Sequence, residues 1–222
     1  MVDVGANVAA VRARMARAAA RAGRDPESIR LIGAAKTKPA ALVRAAIAAG
    51  LTDIGENYVQ EAAAKRAEVG ASAARWHLIG HLQRNKAAKA LQACDVIQTV
   101  DSAALGSALA RAAAARGRVA DVLVEVRLGG EPSKHGVDPD ELMPLLADLR
   151  DPHLRVGGLM AVPPPGDPEA ARPFFRQLRA LAERAGLPEL SMGMTEDFEV
   201  AIEEGATMVR IGRAIFGARA AR

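Results

Sequence analysis

A lysine that directly follows a short apolar run is the residue of this sequence best placed to do chemistry. Lys36 comes at the end of the run 31–35 and is followed at once by Thr37, Lys38 and Pro39. An apolar run bounded by turn residues is typical of a buried parallel strand, which puts Lys36 at the carboxyl end of that strand. Partial burial and a neighbouring cation such as Lys38 both favour the neutral, nucleophilic form of a lysine amine. Lys36 is therefore a candidate to hold a carbonyl compound as a Schiff base. The alternative is that both lysines are solvated surface charges.

The elements that would position Lys36 alternate between strand-like and helix-like segments along the whole chain. We predict strands over 31–35, 53–56, 76–80, 95–100, 122–128, 156–161, 189–192 and 208–212. We predict helices over 40–49, 59–68, 85–92, 103–116, 139–149, 169–185 and 196–204, with an extra N-terminal helix over 7–22. This alternation indicates βαβ units and a parallel sheet. It predicts an α/β fold, a single (β/α)8 TIM barrel with residues 1–222 as one domain. A doubly wound open sheet is the alternative, but its Gly-rich phosphate loop is missing after the first strand.

Composition narrows the class of protein. The chain has 222 residues, of which 50% are hydrophobic and 25% charged, as in an ordinary globular domain. One cysteine allows no internal disulfide, and no N-terminal apolar signal or membrane-spanning run is visible, so we expect a cytoplasmic protein without a membrane partner. The net charge of +4 raises the possibility of nucleic-acid binding, but the arginines are dispersed and only 3% of residues are aromatic. We therefore expect no nucleic-acid partner.

The predicted barrel gathers polar residues at one end, because barrels assemble their sites at the carboxyl ends of the strands. The residues concerned follow strands one, two, six, seven and eight: Lys36, Asn57, Met160, Ser191, Arg210, Gly212 and Arg213. The loops after strands seven and eight offer small residues, hydroxyls and free backbone N–H groups, which suit a phosphate dianion. A Schiff-base lysine after strand one and a phosphate cradle after strands seven and eight correspond to the two ends of pyridoxal 5′-phosphate (PLP).

Several motifs in order along the chain closely resemble the pyridoxal phosphate homeostasis protein family. These motifs are AKTKP at 35–39, GENYVQE at 55–61, WHLIGHLQ at 76–83, GLMA at 158–161, SMGM at 191–194, MVRIG at 208–212 and FG at 216–217. The resemblance implies a single-domain protein similar to the N-terminal barrel domain of alanine racemase. It also implies that PLP is bound through a lysine, without established catalytic turnover, in a role in vitamin B6 balance.

The resemblance assigns roles to the residues that carry the cofactor. It makes Lys36 the Schiff-base lysine and places Arg210 beside the pyridine nitrogen. It assigns the phosphate to Ser191 together with the backbone of Gly212 and Arg213. These assignments are expectations that follow from the family and not from the spacing of the residues.

The resemblance places further residues around the same pocket. Asn57 and Met160 would line the ring pocket, although Asn57 could instead cap the helix that follows it. Lys134 occupies a lysine position that recurs in the family, and it is expected near the mouth. The sequence departs from many members in having Ala35 and Thr195 where they have Ser. Thr195 keeps a hydroxyl, so only Ala35 removes a possible hydrogen bond.

Two function classes follow from these residues. Arg210 cannot protonate a pyridine nitrogen, because a guanidinium has a pKa above roughly 12 in its ordinary state. Alanine racemases compensate with a second base, a tyrosine from a separate C-terminal domain, whereas the only tyrosine here, Tyr58, has no feature of a base. We therefore expect a monomeric binding protein that supplies PLP to PLP-dependent apo-enzymes and is not itself an enzyme. The alternative is a PLP-dependent racemase-like enzyme. The pair His77 and His81 lacks a third ligand nearby, so we expect no metal.

Overall fold

The computed structural model describes residues 2–129 and 135–218, and within them eight parallel strands form a closed barrel. The strands are β1 (Arg30–Ala34), β2 (Asp53–Glu56), β3 (Arg75–Leu78), β4 (Val96–Val100), β5 (Ala120–Glu125), β6 (Leu154–Met160), β7 (Glu189–Ser191) and β8 (Met208–Ile211). Each strand pairs with the next in sequence, and β8 pairs with β1 through the register Ile32 to Arg210. The predicted (β/α)8 barrel is confirmed.

Helices follow the strands and form the outer layer. They are α1 (Val4–Arg21), α2 (Ala40–Ala48), α3 (Val59–Val69), α4 (Ala87–Ala93), α5 (Ala103–Ala114), α6 (Leu142–Asp148), α7 (Arg172–Ala185), α8 (Phe198–Glu203) and α9 (Arg213–Phe216). Short 3-10 turns precede α4, α6 and α7. Two of these turns begin with a proline, whose fixed φ and missing N–H suit a first helical position.

The N-terminal helix α1 lies outside the eight repeating units and closes one side of the barrel. Asp3 caps it by accepting a hydrogen bond from the Ala6 N–H at 2.9 Å. Its buried residues recur at helical spacing, as in Val4, Val8 and Val11, and this face packs against α2, α8 and α9. The predicted extra helix is therefore present and bridges the first and last units.

The interior of the barrel is divided between apolar and polar side chains. Ile32, Leu123, Met160 and Met208 form a small buried apolar cluster, distinct from the larger core between sheet and helices. The barrel strands also carry hydrogen-bonded polar side chains that are buried, which is unusual for charged and polar residues: Asp53 on β2, His77 on β3, Gln98 on β4, Ser191 on β7 and Arg210 on β8. Within the described residues, no helix is both long and apolar enough to cross a bilayer.

Candidate functional site

Lys36 lies in a tight turn at the carboxyl end of β1. The Ala35 N–H donates to Gly55 O at 2.9 Å, which extends the sheet by one residue, and the Lys38 N–H then donates back to Ala35 O at 3.0 Å. Thr37 between them has φ +63°, the left-handed conformation that costs a non-glycine residue about 1 kcal/mol or more. The turn therefore ends the strand abruptly and presents the half-buried Lys36 at the mouth of the barrel.

A cavity of about 620 Å³ opens at this mouth. Lys36, Arg210, Gly212 and Arg213 all line it, together with the loop 163–166. These four side chains and backbone segments come from the two ends of the chain, and the β1–β8 pairing that closes the barrel brings them together. Four of the predicted site residues thus share one cavity, at the carboxyl ends of the strands where barrels carry their sites.

Arg210 is buried at the base of this cavity. Its Nη1 donates to Ser191 Oγ at 2.7 Å and its Nη2 donates to the carbonyl of Ala161 at 2.9 Å. Burial lowers the pKa of Arg210 to about 10, while the charges of Glu125 and Asp197 act in the opposite direction. The guanidinium is therefore still a cation at neutral pH, and it is a hydrogen-bond donor only.

The predicted phosphate residues are placed differently from one another. Gly212 precedes α9, and a Cβ at this position would lie 3.1 Å from the carbonyl of Ala34, so the backbones of β1 and β8 approach closely there. Arg213 is exposed and forms an ion pair with Glu196 at 2.7 Å. Ser191 is fully buried and does not line the cavity, because its hydroxyl is bonded to interior side chains. A phosphate contact from Ser191 stays a prediction.

The predicted ring-pocket residues do not line the cavity. Met160 is 1% exposed and packs in the apolar cluster of the barrel interior. Asn57 is half-buried, and its Oδ1 has no hydrogen-bond partner among the described residues. Its predicted alternative role as a helix cap is not used, because Tyr58 occupies the N-cap position of α3 without a side-chain bond. Lys134 lies outside the described residues.

The two histidines of the third unit are separated by the fold. His77 is buried in the barrel interior, whereas His81 is exposed at the mouth, 3.7 Å from an oxygen of Asp101. The ring of His81 stacks on that of His135 with centroids 3.6 Å apart and planes 9° from parallel. The ligand atoms of His81, Asp101 and His135 lie within 4.8 Å of one another. The in-plane lone pairs of two stacked rings lie in nearly parallel planes, so those of His81 and His135 do not converge on one ion. The absence of a metal remains a prediction.

A buried lysine that the sequence analysis did not single out lies beneath the Lys36 turn. Lys65 Nζ donates to the carbonyl of Ala35 at 2.8 Å, to Glu56 Oε1 at 2.7 Å and to Glu61 Oε2 at 3.0 Å. Its helix, α3, has a mixed charged sequence that is typical of a solvated surface. The i, i+4 pair of Glu61 and Lys65 was visible in the sequence, but its burial was not.

Comparisons with known proteins decide the family. The chain matches the family described as "Alanine racemase, N-terminal domain" over residues 6–220. A Pseudomonas aeruginosa protein named "Pyridoxal phosphate homeostasis protein" is 44% identical over 223 residues, covering 99% of this chain and 97% of that protein. A protein of the same name from Escherichia coli K12 is 40% identical over 232 residues, covering 99% and 98%.

The chain belongs to the pyridoxal phosphate homeostasis protein family. Among solved structures, PipY of Synechococcus elongatus, determined with PLP bound, is 37% identical with a TM-score of 0.83. That match covers 96% of this chain and 100% of PipY. The predicted resemblance to the pyridoxal phosphate homeostasis protein family is confirmed, and it extends over nearly the whole length of both chains.

Like Asp53 and Glu125, Gln98 is a residue that the sequence analysis did not single out. It is fully buried on β4 and bonded to both His77 and Ser191. Its strand, β4, is buried throughout, and one amide in such a run was the available signal, since a buried polar group must find partners. Those partners come from β3 and β7, and the sequence alone does not identify them.

Proposed function

We propose that this protein binds PLP in the cavity at the mouth of the barrel, with Lys36 as the residue that holds it as a Schiff base. Its role is vitamin B6 homeostasis, in which a monomer in the cytoplasm keeps PLP bound and supplies it to PLP-dependent apo-enzymes. The observation that carries this proposal is that Lys36 and the buried cation Arg210 line the same cavity. The PLP bound to PipY and the names of the curated relatives support the choice of ligand.

The residues present fit the two chemical ends of PLP. When bound, PLP supplies an aldehyde and an electron-withdrawing pyridine ring. Lys36 offers an amine for the aldehyde. Arg210 offers N–H groups beyond the two already bonded, which suit an unprotonated ring nitrogen. The cationic side chain of Arg213, which lines the cavity beside Gly212, suits a phosphate. Asn57, which follows β2, has a buried Oδ1 without a partner among the described residues.

The same residues favour binding over turnover. Arg210 keeps all its protons at neutral pH and has no acceptor atom, so it cannot exchange a proton with a ring nitrogen. The chain's only tyrosine, Tyr58, is 57% exposed and is not confined to the cavity as a catalytic base would be. Racemisation requires a proton acceptor on one face of the substrate and a donor on the other. Tyr58 does not complete such a pair in the described residues, and we therefore expect the protein to act as a carrier and not as an enzyme.

One observation favours a second candidate, a racemase-like activity. Burial raises the pKa of Glu125 to about 7, with the charge of Asp101 acting in the same direction. Its Oε2 is buried without a hydrogen-bond partner in the described residues. A carboxyl group with this pKa is suited to general acid–base catalysis near neutrality. Glu125 does not line the cavity, but its charge acts on Arg210, so its substitution helps to distinguish the two functions.

Binding is tested by titrating the protein with PLP and, in parallel, with pyridoxal. We expect a visible absorption band with PLP in the wild type. Lys36→Ala should lose this band, and the exposed control Lys89→Ala should keep it. Pyridoxal should bind far more weakly, because each charge-assisted hydrogen bond to the phosphate contributes about 1.5 to 3 kcal/mol before desolvation. Equal affinities for PLP and pyridoxal would contradict a phosphate cradle.

Turnover is tested by incubating the PLP-loaded protein with L-alanine and measuring D-alanine by chiral chromatography. We expect no racemisation above the rate of free PLP. A thousandfold acceleration corresponds to about 4 kcal/mol of transition-state stabilisation, which this proposal does not provide. An acceleration of that size, lost in both Lys36→Ala and Glu125→Gln, would establish the racemase-like alternative.

A further inference from the structure

A continuous line of buried polar side chains crosses the barrel interior from β2 to β8. His77 Nε2 lies 2.8 Å from Asp53 Oδ1, and His77 Nδ1 lies 2.9 Å from Gln98 Nε2. Ser191 Oγ lies 2.6 Å from Gln98 Oε1 and 2.7 Å from Arg210 Nη1. His77, Gln98 and Ser191 are fully buried, and the two ends of the line are at most 5% exposed. We call these five residues the interior chain.

The proton positions along the interior chain follow from the donors at one end. Arg210 has only N–H donors, so Ser191 Oγ accepts from it and uses its own proton to reach Gln98 Oε1. The carbonyl end of the Gln98 amide is then fixed, and its NH2 group donates to His77 Nδ1. His77 must carry its proton on Nε2, which donates to Asp53. Every hydrogen bond in the line points from Arg210 toward the carboxylate.

The charges of the two end groups agree with this direction. Burial lowers the pKa of His77, which keeps the ring neutral. Burial alone would raise the pKa of Asp53, but hydrogen bonds from His77 and Thr52 lower it below its usual value, so the carboxylate is ionised. The direction of the hydrogen bonds in the interior chain requires a neutral His77 between the cation Arg210 and the carboxylate of Asp53. Arg30 Nε, 4.0 Å from Asp53 Oδ1, adds a further cation at that end.

We propose that Gln98 and His77 are positioning residues for Arg210. Together with the Ala161 carbonyl, the interior chain fixes the plane of the guanidinium and therefore the direction of the N–H groups that remain for a ligand in the cavity. The charges of Glu125 and Asp197 raise the pKa of Arg210, but among the described residues no carboxylate accepts a hydrogen bond from its guanidinium. The guanidinium of Arg210 is thus oriented by two neutral acceptors, Ser191 Oγ and the Ala161 carbonyl.

The interior chain orients Arg210 and does not relay protons. A relay must accept a proton at one end when it releases one at the other, and Arg210 has no acceptor atom. Reversing the chain would require Ser191 to donate to the guanidinium, which cannot accept. The direction is therefore permanent as long as Arg210 is charged. This inference rests on the proposed function for its consequence, PLP binding, but the proton positions themselves do not depend on it.

The proton positions are tested on the wild-type protein without PLP. Long-range 1H–15N spectra of 15N-histidine-labelled protein distinguish the two neutral tautomers and the cation, and comparison with His77→Gln assigns the His77 signals among the four histidines. The groups that face His77 are Asp53, Gln98 and the more distant cations Arg30 and Arg75. At pH 7 we expect a neutral ring protonated on Nε2. A ring protonated on Nδ1, or on both nitrogens, would overturn the proposed direction.

Substitution of Gln98 tests the positioning role. In Gln98→Leu the link between Ser191 and His77 is lost, and we expect PLP affinity to fall roughly tenfold, the size of one weakened charge-assisted hydrogen bond, with a shift of the visible band. The matched control Gln177→Leu, exposed on α7, should leave both unchanged. In Gln98→Glu the carboxylate can only accept, so His77 should become protonated on both nitrogens.

The outcomes separate this inference from the proposed function. A wild-type protein that does not bind PLP would end the proposed function while leaving the tautomer result intact. A folded Gln98→Leu protein with wild-type affinity and an unshifted band would overturn the positioning role. If Gln98→Leu does not fold, the tautomer of His77 in the wild type and the spectrum of Gln98→Glu still decide the direction of the hydrogen bonds in the interior chain.

Discussion

At the scale of single residues, two side chains of helix α3 form hydrogen bonds to the backbone on both sides of Lys36. The Ala35 carbonyl accepts from Lys65 at 2.8 Å, and the Thr37 N–H donates to Glu61 Oε2 at 2.9 Å. Thr37 has φ +63°, a conformation that persists only where its surroundings impose it. The Lys65 and Glu61 side chains therefore hold the turn at Thr37 in a backbone conformation that it would not keep by itself, and this turn positions Lys36.

The first prediction concerns the buried ammonium of Lys65. Lys65→Met should lower the free energy of unfolding by about 3 kcal/mol, because Glu56 then stays buried without its partner and the Ala35 carbonyl loses one of its two donors. It should also slow the attachment of PLP to Lys36. Urea denaturation and the rate of appearance of the visible band measure the two effects. Lys89→Met, on the exposed face of α4, is the control and should change stability by less than about 0.5 kcal/mol. A Lys65→Met protein as stable as its control would contradict a stabilising role for the buried Lys65 contacts.

The second prediction concerns the pH dependence that Glu125 introduces. Burial raises the pKa of Glu125 from 4.5 to about 7 in the folded protein. An acid whose folded pKa is raised costs stability as the pH rises above its unfolded pKa, and the full cost is reached above the folded pKa. The wild type therefore loses stability from about pH 4.5 to pH 7 through this group.

Glu125→Gln removes that titration. Relative to the wild type, the free energy of unfolding of the variant should increase between pH 5 and pH 8, by up to about 3 kcal/mol. Urea denaturation at four pH values measures the difference. Glu141→Gln, at an exposed position, should differ from the wild type by the same amount at every pH. A constant difference for Glu125→Gln as well would show that the buried carboxyl group titrates normally.

At the scale of elements, the loops that follow β2 and β3 are in close backbone contact at Asn57 and Gly80. A Cβ on Gly80 would lie 2.4 Å from the carbonyl oxygen of Asn57, which is backbone and cannot turn away. Thr99 Oγ1 on β4 also donates to the Gly80 carbonyl at 3.0 Å and fixes the loop from the other side. Asn57 thus owes its position to the absence of a side chain at Gly80.

The third prediction follows from this contact. Gly80→Ala should lower the free energy of unfolding by about 1 to 3 kcal/mol, because the added methyl group forces a backbone shift. It should also weaken PLP binding by displacing Asn57. Gly166→Ala, where a Cβ would meet nothing within 4 Å, is the stability control. Thermal denaturation of both variants measures the difference, and equal midpoints would mean that the loops can separate without cost.

The elements themselves were largely predictable, and their ends were less so. All eight strands were predicted from their alternation with helix-like segments, and β2 was predicted with its observed bounds. In contrast, β5 was predicted to begin at residue 122 but begins at Ala120, because its pairing with Leu154 of β6 extends it. The predicted helices over 139–149 and 169–185 open with 3-10 turns, a distinction that apolar spacing cannot make.

The site was predictable where the fold alone determines position. Lys36 and Arg210 both lie at carboxyl ends of adjacent strands, so recognising the barrel was enough to bring them together. Gln98 and Lys65 were not predicted, since their importance depends on partners distant in the sequence: Ala35 lies 30 positions from Lys65, and Ser191 lies 93 positions from Gln98. Ser191 was assigned to the phosphate, yet its hydroxyl is used inside the barrel, and only the side-chain geometry revealed that use.

At the scale of the whole molecule, the barrel closes by pairing β1 with β8, and α1 packs across this closure against α8 and α9. Every unit therefore depends on both neighbours, and the site at the β1–β8 junction depends on closure of the barrel.

The fourth prediction is that residues 1–222 unfold as a single domain. Calorimetry should give one transition with equal calorimetric and van't Hoff enthalpies. Two transitions, or a calorimetric enthalpy well above the van't Hoff value, would show that part of the barrel unfolds separately.

The attachment of PLP to Lys36 is tested most directly by borohydride reduction of the PLP-loaded protein followed by peptide mass mapping. Reduction converts a Schiff base into a stable amine, so the modified residue can be located. We predict one pyridoxyl phosphate group per chain, on Lys36, and none in Lys36→Ala. A pyridoxyl group located mainly on Lys38 or Lys134, or an adduct that forms equally in Lys36→Ala, would contradict the account.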